Sequence, residues 1–200
     1  MRLQAPALFS LAVMTALPGA ALAASEDPDW PCIQRLVPRI SAAQVWAGPE
    51  PKPESWQGDI DVARLASKLA ARRVPLNEAE KLIEDFADEQ TPTVLNDRLT
   101  ALFGRTLQII NTDRASIIAG IKRFAKRQRQ LAERIREARA LLKASDGVAE
   151  NGAAFNETLT WDLRIFDERE GSMIYLCEQP VLLEQRAFAL GRTIYFFVED

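Results

Sequence analysis

TPTVLNDRLTALFGRTLQIINTDRASIIAGIKRFAKRQRQLAERIREARALLKA, residues 91–144, decides the fold. Apolar or small residues recur at Leu95, Leu99, Leu102, Thr106, Ile110, Ile117, Ile121, Phe124, Leu131, Ile135, Ala138 and Leu142. The steps are threes and fours or sums of them, the spacing that puts side chains on one face of an α-helix. No proline falls between Thr93 and Ala144. The stretch predicts one helix of roughly 78 Å at 1.5 Å per residue, or two helices with a joint near Asn111-Thr112-Asp113.

Downstream, Ser145 to Gly152 is a turn region with two glycines, an aspartate and an asparagine. The same rhythm then returns at Leu159, Leu163, Phe166, Met173, Leu176, Leu183, Ala187, Leu190, Ile194 and Phe197. Two arms of similar length, about 93–144 and 156–198, predict a long antiparallel hairpin of coiled-coil character. Gly171 and Pro180 are its defects, and Pro180 predicts a kink or break, because proline lacks the N–H and crowds the preceding turn. Upstream, Asp59 or Asp61 caps a helix reaching about Arg73, with Val62, Leu65, Ala66 and Leu69 inward. Asn77 with Glu80 caps a second, through Ala87, burying Ala79, Leu82, Ile83 and Phe86. The fold class is all-α, with a helical domain over 59–200.

Residues 24–58 form a different region. Six prolines (Pro28, Pro31, Pro38, Pro49, Pro51, Pro53) forbid helix over most of it, apart from a turn at Ile40–Trp46 capped by Ser41. Three of the four tryptophans, Trp30, Trp46 and Trp56, also lie here. Large rings seek burial, so the region reads as an extended arm anchored on the helical body by those rings. Pro49-Glu50-Pro51-Lys52-Pro53 is a stiff spacer between Trp46 and Trp56, or a polyproline ligand for a partner's aromatic groove.

The first 23 residues carry the three parts of an export signal: Arg2, the uncharged run Ala5–Leu17, and Ala21-Leu22-Ala23 after the helix-breaking Pro18-Gly19. Cleavage after Ala23 is predicted; the alternative, an uncleaved anchor, is short for a bilayer span of ~20 residues and contains Pro6 and Pro18. The 177 residues left carry a net charge of −4, one below the −3 of the whole chain, because Arg2 is lost. A near-neutral balance argues against a dedicated nucleic-acid binder, and no later stretch is apolar enough to span a membrane. The composition and signal look bacterial, which predicts the periplasm. In that oxidising space Cys32 and Cys177, the two cysteines, read as a disulfide closing 145 positions. A redox pair would need a second cysteine close in sequence. With the turn near 150, the hairpin sets Cys177 opposite about residue 123, so the bond clamps the arm across mid-hairpin.

The chain has no histidine, which removes the commonest general base and metal ligand. No phosphate-cradling glycine loop is present, and no cofactor is implied. Asp27/Asp29 and Asp59/Asp61 fall short of the ~6–8 oxygens calcium requires and read as caps or solvated groups. Glu184, inside Val181-Leu182-Leu183-Glu184-Gln185, is a candidate single acid if desolvated; Arg186 beside it favours an ordinary ion pair or a solvated edge instead. The sharpest charge feature is Lys122–Arg139: Lys122, Arg123, Lys126, Arg127, Arg129, Arg134, Arg136 and Arg139 against Glu133 and Glu137. The antiparallel register sets it against 161–178, where Asp162, Asp167, Glu168, Glu170 and Glu178 outnumber Arg164 and Arg169, and complementary flanks fix register.

Three motifs carry a resemblance: Trp30-Pro31-Cys32-Ile33-Gln34-Arg35, Val45-Trp46-Ala47-Gly48-Pro49 and Leu176-Cys177-Glu178. In these the chain resembles a group of uncharacterised exported helical proteins of Gram-negative bacteria, over most of its mature length. The resemblance implies a periplasmic address and no particular activity. The reading is then a non-enzymatic interaction or scaffolding protein whose partner is another envelope protein or a second copy. The alternatives are a binder of an anionic envelope component through the basic stretch, and a carboxylate-only enzyme using Glu184.

Overall fold

The computed structural model describes residues 27–144 and 152–199; the expected export signal and most of the expected turn lie outside them. The described residues form α-helices without strand: α1 (Ala42–Val45), α2 (Ile60–Ala70), α3 (Leu76–Asp88), α4 (Pro92–Ala144) and α5 (Gly152–Phe196), with a 3-10 turn at Pro53–Trp56. The all-α hairpin with two shorter helices and an irregular arm is what the structure shows.

α4 is one unbroken helix. Asn111-Thr112-Asp113 is no joint, because Asn111 turns inward and Thr112 Oγ returns a hydrogen bond to the Gln108 carbonyl one turn back. α5 likewise runs through Gly171 and Pro180 without the break expected at the proline. Pro180 is buried, and the carbonyl of this residue accepts from Arg114 Nε at 3.2 Å, so α4 supports α5 at its weakest turn. α2 is capped by Asp59, which accepts from the Val62 amide at 3.0 Å, but it ends at Ala70, three residues early. There Arg186, 8 % exposed, donates to the Leu69 carbonyl at 2.7 Å and satisfies one of the orphan acceptors of the helix end. α3 is not capped by Asn77. Pro75 is its N-cap, holding the extended φ of −61° and ψ of 153°, and the Glu78 and Ala79 amides bond to its carbonyl.

The hairpin has two unlike halves. α2, α3, the first five turns of α4 and the last four of α5 share one hydrophobic core, with Leu69, Ile83, Leu99, Leu102, Phe103, Ile110, Leu190 and Ile194 essentially without solvent contact. From about residue 115 onward α4 buries only Ile118, Ile121, Ala125, Leu131 and Ile135, all outside that core, with the start of the arm tied alongside at Lys122 and Arg129. The second half is therefore a two-helix projection of roughly 45 Å. Arg134 bonded to Asp162, and Gln128 Nε2 bonded to the Phe166 carbonyl, fix its register. That register, a few residues from the expected one, puts Cys177 level with about Ile118.

The arm lies against the hairpin and runs antiparallel to α4. Its successive ties are Asp27 to Lys122, Asp29 to Arg129, Cys32 to Cys177 and the Val37 carbonyl to Arg114. Then come Ile40 to Asn111, Trp46 to Phe103 and Asp59 to Arg98. Trp46 is buried, stacked on Phe103 with centroids 4.3 Å apart, and meets Tyr195 edge-on at 5.8 Å. Trp56 and Pro51 occupy the space a side chain on Gly104 would need. Trp30 is a local fastening rather than a core anchor: its indole N–H donates to the Gln34 carbonyl at 2.7 Å and closes the loop around Cys32.

α1 depends on Gly191, where a Cβ would stand 2.1 Å from the Val45 carbonyl oxygen and 3.3 Å from the Phe103 ring. The oxygen is backbone and cannot rotate away. Gly191→Ala should therefore push α1 and Trp46 off α5 and destabilise by about 2 kcal/mol, the scale of overpacking. Urea unfolding followed by tryptophan fluorescence measures it; an unchanged midpoint would show that α1 yields freely.

Candidate functional site

The eight cations of Lys122–Arg139 lie on the projection, and the structure divides them by partner. Lys122 bonds Asp27 at 2.6 Å, and Arg129 bonds Asp29 and the Pro28 carbonyl, so two belong to the arm. Arg134 makes a two-pronged bond to Asp162, at 2.7 and 2.6 Å, and Arg136 pairs with Glu133 on its own helix. Among the described residues Arg123, Lys126, Arg127 and Arg139 have no carboxylate within ion-pair distance, and all four are exposed. Arg123, Lys126 and Arg127 stand at i, i+3 and i+4, adjacent on the face of α4 turned away from α5.

This corrects the expected pairing of the basic stretch with the return arm. Only Arg134 finds an acid there; the acids that neutralise the flank next to it come from the arm. Asp27 and Asp29, read as solvated, are the arm's ionic contacts. Lys122 donating to Asp27 holds that carboxyl below the usual carboxylate range.

Asp162 is the strongest ionic point of the projection. Its side chain is 11 % exposed against 63 % for Arg134, and the Arg134 hydrogen bonds pull its pKa below the ordinary value against the opposing effect of burial. A carboxyl depressed by folding stabilises fully above the pKa it has when unfolded, and that contribution fades as pH falls through the folded value. Asp162→Asn should cost about 1 kcal/mol at neutral pH. The difference from the wild type should vanish on acidification below the carboxylate range. Thermal melts across pH decide it; a difference that persists in acid would assign the effect to packing.

Glu184 does not meet the requirement of a desolvated acid. Its side chain is 51 % exposed and lies 3.7 Å from Arg114, which is 3 % exposed. Of the two expectations for Glu184 the solvated edge is what the structure shows, and the pair with Arg186 is not made: Arg186 points to the end of α2 instead. Burial pulls the pKa of both arginines down, and the Glu184 charge partly offsets this for Arg114. Asp59, the cap of α2, also accepts from Arg98 Nη2 with both carboxylate oxygens at 3.0 Å. No group of three metal-ligating side chains lies together among the described residues.

Three inward polar residues have roles that their place in the sequence did not suggest: Asn111 and Arg114 hold the arm, and Arg186 holds the end of α2. For the first two a signal exists. The inward rhythm of α4 jumps seven positions from Ile110 to Ile117, and Arg114 fills the gap with Asn111 one turn before it.

No helix among the described residues is long and apolar enough to cross a membrane, and the Cys32 and Cys177 sulfurs are at bonding distance with Cα atoms 5.5 Å apart. No family model matches the chain, and neither a curated protein nor a solved structure matches it.

Proposed function

We propose that this chain is a non-enzymatic interaction or scaffolding protein of the periplasm, with the two-helix projection as its working part. The observation that carries the reading is the division of the hairpin. A body with a full core holds one end rigidly, while beyond the arm's tie at Arg129 the two long helices continue together with their outer faces open to partners. A catalytic reading finds less: Glu184 is solvated, and the depressions on the surface are shallow. The disulfide suits an oxidising compartment. Photo-crosslinking residues placed in living cells at Lys126, Leu141 and Trp161 on the projection, and at Arg64 and Glu80 on the body, test it. Discrete adducts confined to the projection support the proposal; adducts only at the body, or at neither, reject it.

A second reading has its own support, the unpaired trio Arg123, Lys126 and Arg127. Three neighbouring exposed cations on a stiff helix suit an anionic envelope surface. Binding to vesicles containing anionic lipid should fall steeply with salt. It should also disappear when the trio is reversed to glutamate, while Arg134→Glu and Arg136→Glu act through the fold. Binding that ignores the trio rules this reading out.

A further inference from the structure

α5 carries two apolar seams, and only one is covered. Leu183, Ala187, Leu190 and Ile194 are buried in the body. A second set, Ile174, Val181, Phe188 and Tyr195, repeats every seventh residue along an adjoining flank of the same helix. Ile174 is 73 % exposed, Phe188 46 % and Tyr195 41 %. A strict seven-residue apolar repeat is the pattern of a helix that receives another helix along its length. Where the stripe passes α1 the surface forms two adjoining depressions of ≈ 320 and ≈ 290 Å³, which share Gln44, Val45 and Phe188. Nothing among the described residues fills them.

The polar residues between the apolar ones identify the occupant. They are Glu178, Gln185 and Arg192, again seven apart, running acid, neutral, base. Arg192 lies over its own Phe188 ring at 5.0 Å, and among the described residues neither it nor Glu178 has an ion-pair partner. A second α5 laid parallel would set Glu178 against Glu178 and Arg192 against Arg192. Laid antiparallel about a two-fold axis at Gln185, it brings Glu178 of each copy to Arg192 of the other. The same register brings Ile174 to within one residue of level with Tyr195, and Val181 likewise with Phe188, and Gln185 meets its own symmetry mate. Each contact occurs twice, as a self-complementary two-fold interface demands. The exposed Phe196 and Ile33, the latter on the loop fastened to Cys177, fall at the two ends of the contact.

We infer that the chain pairs with a second copy of itself through this flank of α5, antiparallel, with Gln185 at the axis. The inference is independent of the projection's role. Light scattering on the purified exported chain over a range of micromolar concentrations tests it. The expected mass is twice that of the chain. Phe188→Glu should give a monomer whose helical circular dichroism is retained. Arg192→Glu should weaken pairing about tenfold by placing like charges opposite twice, and adding Glu178→Arg should restore it. Gln185→Cys treated with a short bismaleimide should link copies 185 to 185, while Arg64→Cys should not. A wild-type monomer throughout the range overturns the inference. So does a dimer indifferent to Phe188→Glu, a charge swap that fails to rescue, or absence of the 185–185 link.

Discussion

Replacing Cys32 and Cys177 together by serine is expected to remove about 5 kcal/mol of stability, because the bond closes a loop of 145 positions in the unfolded chain. That figure is the chain-entropy value, and for a domain of this size it corresponds to a fall in Tm of roughly 10–20 °C. The folded side of the balance changes little. Asp27, Asp29 and Trp30 keep their partners, and the inner arm is held separately by Asn111 and Trp46. The loss should therefore appear in global unfolding, measured by urea titration of oxidised, reduced and double-serine protein, the last two coinciding. A loss under about 1 kcal/mol would mean that the unfolded chain is already compact around these residues.

Asn111→Leu is expected to cost about 3 kcal/mol, for the opposite reason. Asn111 is buried, accepts from the Ile40 amide and donates to the Ile40 carbonyl, both at 2.9 Å, so one side chain stands in for a missing strand partner. Leucine has the same branching at Cγ, though it is bulkier, and leaves both backbone groups of Ile40, itself 2 % exposed, without partners in a dry place. Each such group costs ≈ 1–3 kcal/mol. Hydrogen exchange should show the Ile40 amide losing protection first. Asn111→Asp, which keeps the acceptor and loses the donor, should fall between leucine and wild type. Equal stability of leucine and wild type would show that water enters and satisfies Ile40.

Helix periodicity was legible because it is a property of neighbours three and four apart: α2, α3, α4 and α5 appear within a few residues of where the pattern puts them. Their ends were less legible, since α2 stops where Arg186, over a hundred residues away, takes the Leu69 carbonyl. The arm was legible as an arm through its prolines and tryptophans, but its route was not. That route is set by single long-range contacts at Asn111, Arg114, Lys122 and Arg129, and a lone polar residue in a helical pattern does not name its partner. The charge reading failed for the same reason. Net charges of two stretches predict attraction in bulk, whereas Asp27 and Asp29 claimed Lys122 and Arg129 from a third segment. The second seam of α5 escaped because the return arm was read for one stripe, and its stronger inner residues account for the folding alone.

The ties between the arm and the two long helices also impose an order in time. Cys32 is made 145 residues before Cys177, and at ~5–20 residues per second roughly 7–30 seconds of synthesis separate them. Until α5 exists, Asn111 has an arm to hold but the thiol of Cys32 has no mate. The covalent closure thus waits for α5, and any oxidant that captures Cys32 before then must release it again before the bond to Cys177 can form.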